Sequence, residues 1–175
     1  MILRGRVWKL GDNISATDVV PSRYDMAGMS GAFDECAKHI LEDVDPGFVA
    51  NIRQGDLFVA GKNFGMGHAH YFKAAVMGCW RAGISGIIAE QFNAIFHRVA
   101  IDLGYPSWSY PQVAAMVKTG DELEVDLRNG SARNHTTGAS AKLEPVPALI
   151  LDIFEAGGSE HWALKRIGAE HAIAR

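Results

Sequence analysis

The chain has 175 residues, 48% hydrophobic and 21% charged, with 17 Lys and Arg against 20 Asp and Glu for a net charge of -3. That balance fits one globular domain with a real core, excludes a disordered chain and speaks against a nucleic-acid partner. The two cysteines, Cys36 and Cys79, exclude a disulfide scaffold and cannot by themselves complete a four-cysteine zinc site or hold an iron–sulfur cluster.

Residues 1–7 lack the apolar stretch of a signal peptide. The longest uncharged stretch, 103–117, is broken by Pro106 and Pro111 and is too short to span a bilayer. The expectation is a cytoplasmic chain with no membrane partner and reduced thiols.

Residues 2–10 predict a strand, ended by Gly11-Asp12-Asn13. A long loop follows to Gly28 and Gly31. Phe33, Ala37, Ile40, Leu41 and Val44 fall at helical spacing, and Asp45-Pro46 opens a second short helix that stops near Gln54-Gly55. The apolar run 57–60 predicts a buried strand, followed by the glycine loop Gly61-Lys62-Asn63-Phe64-Gly65-Met66-Gly67. Phe72, Ala75, Val76 and Cys79 mark a helix ending near Ala82-Gly83; 84–89 is the next strand and 92–103 the next helix. This order is a βαβ unit with a parallel pair and a right-handed crossover. Residues 122–128 alternate into Asn129-Gly130, a hairpin signal, and return toward Thr136-Thr137-Gly138. Residues 147–156 predict a last helix closed by Gly157-Gly158. No repeat or linker divides the chain, so 1–175 reads as one domain with a tail over about 159–175.

A glycine-rich turn between strand and helix aims backbone N–H groups and a helix N-terminus at an anion. Two phosphate-binding versions fail: a P-loop needs Lys-Ser/Thr where His68-Ala69 follow Gly67, and a dinucleotide fingerprint needs glycine at His70. A small carboxylate remains compatible, as does a plain tight turn. His68 and His70 suit acid–base or hydrogen-bonding work on a bound carboxylate. Two histidines alone leave a metal site short of ligands, and no metal site is expected. In the first loop, Arg23 is a natural bidentate partner for a carboxylate, with Ser22 beside it. Asp12, Asn13, Thr17 and Asp18 suit organising the loop by accepting its N–H groups.

These residues carry a resemblance. The runs Val7-Trp8-Lys9-Leu10-Gly11-Asp12-Asn13-Ile14, Thr17-Asp18-Val19-Val20-Pro21-Ser22-Arg23-Tyr24 and the glycine loop come in order with Ile87-Ile88-Ala89-Glu90-Gln91-Phe92-Asn93 and Arg133-Asn134-His135-Thr136-Thr137-Gly138. Together they resemble the small subunit of 3-isopropylmalate dehydratase, in its shorter archaeal-type form, over nearly the whole chain. The resemblance implies an α/β fold: the swivelling β/β/α domain of the aconitase superfamily, three-layered, with a mixed sheet and a C-terminal hairpin. It implies a separate large subunit carrying a 4Fe–4S cluster, with no cofactor in this chain. The implied reaction, placed in leucine biosynthesis, is reversible loss and addition of water on a hydroxy di- or tricarboxylic acid, with the iron acting on the hydroxyl while a base takes a proton from the neighbouring carbon.

Where the family reads Gly-x-Gly-Ser-Ser-Arg-Glu-His, this chain reads Gly65-Met66-Gly67-His68-Ala69-His70-Tyr71-Phe72. His68 takes the position of the serine base and His70 that of the carboxylate-binding arginine. The specificity loop, Asp25-Met26-Ala27-Gly28-Met29, lacks its usual basic residue, and His97 and Val99 flank Arg98 where tyrosine and asparagine are common. The carry-over makes His68 and His70 catalytic candidates and Arg23, Ser22, Asn63, Gly65, Gly67 and Ala69 substrate-binding candidates, in a hydro-lyase of altered specificity. A second reading is a non-catalytic metabolite-binding or regulatory relative.

Overall fold

The computed structural model describes residues 1–67 and 69–168, with side chains described for all of these except 69–71. They form a seven-stranded sheet in the order β4-β3-β2-β1-β5-β6-β7. The strands are β1 (Ile2–Lys9), β2 (Leu57–Ala60), β3 (Gly86–Ala89), β4 (Ser107–Ser109), β5 (Glu122–Asp126), β6 (Ser131–Asn134) and β7 (Ser140–Lys142). From β1 to β4 neighbours run parallel, and from β1 to β7 antiparallel. The sheet is therefore mixed, as expected.

Strand alternation builds two cores. Phe58, Ala60, Ile87 and Ala89 face one side, against α1 (Ala16–Val19), α3 (Phe33–Ala37), α5 (Ala69–Ala82) and α6 (Ala94–Asp102). Leu57, Val59 and Ile88 face the other, against α7 (Pro111–Met116) and α8 (Ala148–Ala156). With both faces covered, β2 and β3 read as continuous apolar runs rather than alternating ones. This gives the three layers.

Several elements differ from expectation. The helix expected over 33–44 stops at Ala37. Leu41 has φ +56 and its N–H donates to the Val19 carbonyl at 2.9 Å, so burial of its side chain is reached by leaving the helix. Within the expected loop, Asp25–Ser30 forms α2, closed by Gly31 in the left-handed region. The second short helix is only α4 (Phe48–Asn51). Strand 84–89 begins at Gly86. The turn between β5 and β6 is not the two-residue kind: Asp126 pairs with Ser131, and its carboxylate accepts from the N–H groups of Arg128 and Asn129, which closes a longer loop. β4, α7 and β7 carry no clear period; in α7 the proline read as a breaker fills the first turn, where no N–H is needed. Within the expected tail, Ser159–Arg166 is helix α9.

Candidate active site

Three loops converge at the carboxyl ends of β1, β2 and β3, the crevice where open α/β sheets hold ligands. The first two are laced by backbone hydrogen bonds. Gly65 N–H donates to the Ile14 carbonyl and Ala16 N–H to the Met66 carbonyl, both at 2.8 Å. The third joins through Phe64 N–H to Gln91 at 3.0 Å and Asn93 N–H to Phe64 at 2.8 Å. Gly65, at φ +79, lies so close to Phe96 that a Cβ would enter its ring. Gly67, at φ +115, is exposed, with nothing near an added Cβ among the described residues. The chain then enters α5, whose fourteen residues give its N-terminus a real dipole.

The first loop's polar residues are tied within the first two loops. Asp12 Oδ1 accepts from Lys62 N–H at 2.8 Å. Asp18 Oδ2 accepts from Ser15 N–H at 2.7 Å while Ser15 Oγ accepts from Asp18 N–H at 2.9 Å, a reciprocal cap on α1. Thr17 Oγ1 lies 3.0 Å from Ser15 Oγ. Asn63 Nδ2 donates to Asn13 Oδ1 at 3.1 Å. Sequence reading passed over Ser15 and over Asn93, whose Oδ1 caps α6; the Ser-x-x-Asp spacing and an asparagine just before an apolar period were the available signals.

Ser22 stands exposed in a 3-10 turn over Ser22–Tyr24. Arg23 is met by carboxylates of its own chain: Nη1 and Nη2 donate to Asp43 at 2.8 and 2.7 Å, Nη2 also reaches Glu42, and the guanidinium lies over Tyr24. The Arg23 hydrogen bonds hold the Asp43 carboxyl below its ordinary value. His68 lies outside the described residues, as do the side chains of Ala69 and His70; their backbone opens α5. Gly65 N–H is already used on Ile14, so Gly65 contributes close approach rather than a free donor.

Cys36 on α3 and Cys79 on α5 are buried free thiols in one core, and burial raises both thiol pKa values. Such thiols do not fit cluster ligation. Among the described residues, no group of three or more His, Cys, Asp or Glu is placed to hold a metal ion, and no helix is long and apolar enough to cross a membrane.

The fold matches that of a solved 3-isopropylmalate dehydratase from Methanocaldococcus jannaschii. The two match with a TM-score of 0.86 over 98% of this chain and 99% of that one, at 30% identity. This is the aconitase-type α/β class of hydro-lyase subunits. Sequence relatives narrow it further. A 3-isopropylmalate dehydratase small subunit of Thermotoga maritima is 40% identical, covering 96% of this chain and 98% of its own. A homoaconitase small subunit of Methanothermobacter thermautotrophicus is 39% identical over 95% and 93%. An isopropylmalate/citramalate isomerase small subunit of M. jannaschii is 38% identical over 95% and 96%. No family model matches the chain. The chain belongs to the 3-isopropylmalate dehydratase small-subunit family; it is a hydro-lyase small subunit that works with a large subunit.

Proposed function

We propose that this chain, one swivel domain over 1–175, closes over a hydroxy di- or tricarboxylic acid held by a cytoplasmic large subunit that carries a 4Fe–4S cluster. The relatives' names span isopropylmalate, citramalate and homoaconitase activities, which differ in the group opposite a shared hydroxy-acid core. The observation that carries the reading is the laced glycine loop, which delivers the exposed Gly67 to the N-terminus of α5. A carboxylate seated there meets backbone N–H groups and the positive end of the helix.

In the reaction a C–O and a neighbouring C–H bond break, a C=C bond forms and water leaves. The cluster supplies Lewis acidity to the departing hydroxyl when the large subunit is bound. This chain's part is to seat carboxylates and handle the proton. His68 or His70 takes the carbon-bound proton, and the other, with Ala69 between them, contacts a carboxylate. Asn63, Gly65 and Gly67 shape the seat. Ser22 and Arg23 reach the substrate from the first loop, Arg23 by exchanging Asp43 and Glu42 for a substrate carboxylate. Altered specificity is supported by α2, where Met26 and Met29 are exposed and no residue is cationic.

The test is co-expression with a cluster-replete large subunit and a hydration assay on unsaturated acids related to isopropylmalate, citramalate and homocitrate. Turnover on at least one is expected, and the His68→Ala/His70→Ala double variant should lose at least about 100-fold in kcat while the complex still forms. No turnover on any acid overturns the function; unchanged turnover in the double variant clears both histidines of the chemistry.

A further inference from the structure

Strands β1 and β2 pair as Val7↔Leu57, Trp8↔Phe58 and Lys9↔Val59, and the register continues past their ends. Gly61 N–H donates to the Gly11 carbonyl at 3.1 Å, Lys62 N–H to Asp12 Oδ1 at 2.8 Å, and Asn13 N–H to the Lys62 carbonyl at 2.8 Å. The loops are thus twins, Gly-Asp-Asn against Gly-Lys-Asn. Each turns at its asparagine, with φ +59 at Asn13 and +58 at Asn63. That conformation costs most residues about 1 kcal/mol, and asparagine tolerates it best after glycine. Beyond this point the pairing slips by one residue, because Ser15 pairs with Met66 rather than with Gly65.

The slip is where the two side chains meet. Asn63 Nδ2 donates to Asn13 Oδ1 at 3.1 Å and lies 3.6 Å from Met66 Sδ. It stands between the last rung before the slip, Asn13 to Lys62, and the first after it, Gly65 to Ile14. A ladder that changes register has no backbone bond at the step, and this amide bond spans it. The Asn63 donor is therefore spent within the loops.

We infer that Asn13 and Asn63 form a positioning pair: their amide bond fixes the height at which Gly65, Met66 and Gly67 approach the substrate. The kinetic part rests on the proposed function; the structural part does not. Glycine adopts φ near +58 freely, so Asn13→Gly and Asn63→Gly remove the amide while keeping the backbone. In the full chain, amide exchange at Gly65 and Ala16 should quicken about tenfold in either variant, the worth of one hydrogen bond. The double variant should add almost nothing to Asn63→Gly, since the amide bond is then already gone. Asn13→Asp keeps an acceptor for Asn63 and should keep the protection. In the complex with the large subunit, either glycine variant should lower kcat about tenfold with KM shifted far less, because a misplaced seat costs the transition state most.

Unchanged exchange, effects that multiply in the double variant, or Asn13→Asp behaving like Asn13→Gly would overturn the pair. Faster exchange with unaltered kcat would overturn its positioning role. A wild-type complex without turnover would count against the proposed function, while the exchange results still decide whether the asparagines lock the loops.

Discussion

The β1/β2 pair is tied by side chains at both ends, and the ties are chemically opposite. At the amino end of β2, Asp56 is 2% exposed. Its carboxylate accepts from Arg6 Nη2 at 2.6 Å, Arg6 Nε at 3.2 Å, Trp8 Nε1 at 2.7 Å and Arg53 N–H at 2.9 Å. At the carboxyl end, the described residues of the two loops meet by hydrogen bonds between amides, hydroxyls and N–H groups, and Asp12 and Asp18 accept only from backbone. A charge sealed against its partner holds strands together but has nothing left for a ligand. An end whose carboxylates are met by backbone N–H groups alone keeps a fixed shape and leaves the N-terminus of α5 open to an anion. Together with the proposed function, the comparison assigns stability and binding to opposite ends of one strand pair.

The largest effect should follow from breaking the sealed end. Burial by itself works against the Asp56 charge, but the hydrogen bonds from Arg6, Arg53 and Trp8 outweigh it and hold the carboxyl below its ordinary range. Its contribution is thus complete above roughly pH 3.9, the unfolded value, and disappears as pH falls through the lower folded value. Asp56→Ala strips Trp8 Nε1 of its acceptor and Arg6 of its ion-pair partner, leaving Arg6 only the Asn51 carbonyl, and should cost about 4 kcal/mol in denaturant melts. A loss under about 1 kcal/mol would show that the ion pair is replaceable by water. Catalysis by the folded fraction should change little, since Asp56 touches none of the three site loops.

Gly65→Ala attacks the open end. It places a side chain at φ +79 and a Cβ against the Phe96 ring. The conformational and overpacking terms together should cost about 2–3 kcal/mol. Here turnover of the complex should fall further than stability alone accounts for, because the loop must move to make room. Equal turnover per folded molecule in this variant and wild type would erase the distinction between the two ends.

The sequence disclosed these ends unequally. The glycine loop was readable because its glycines interrupt an apolar strand and a helical period, and because its order with the first loop matched a family. The parallel core was readable from the apolar runs at 57–60 and 87–89. Leu41 was not, since a leucine at helical spacing gives no sign that its N–H will go to Val19. β4 and β7 are three residues each, too short for alternation to register. Asp56 was passed over because a single carboxylate beside a glycine looks like a turn residue until Arg6 and Trp8, fifty positions away, are brought across the strand pair. The ties of Arg23 to Asp43 and Glu42 were not readable either, because those two carboxylates lie in a turn where a helix was expected.

The smallest effect belongs to the flank of the open end, where His97 leaves the third loop on α6. Its Nε2 lies 3.0 Å from the Ser107 carbonyl, and its ring stacks on Phe92 at 4.7 Å and meets Trp108 edgewise. A carbonyl only accepts, so Nε2 carries the proton and donates. Burial lowers the pKa below 6.5, and the Ser107 bond opposes this more weakly. The unfolded chain therefore takes up a proton that the folded chain refuses, and stability falls as pH drops from about 6.5 toward the lower folded value. Above that window the term vanishes. His97→Gln keeps a donor near Ser107 but cannot titrate, so the difference in melting temperature between wild type and variant should change with pH only inside the window, in the sense that wild type loses relative stability on acidification. Subtracting the variant cancels every pH effect that the two proteins share. A pH-independent difference would mean that His97 is protonated as readily in the folded chain as in the unfolded one, and that the flank of the binding end is wetter than its aromatic packing implies.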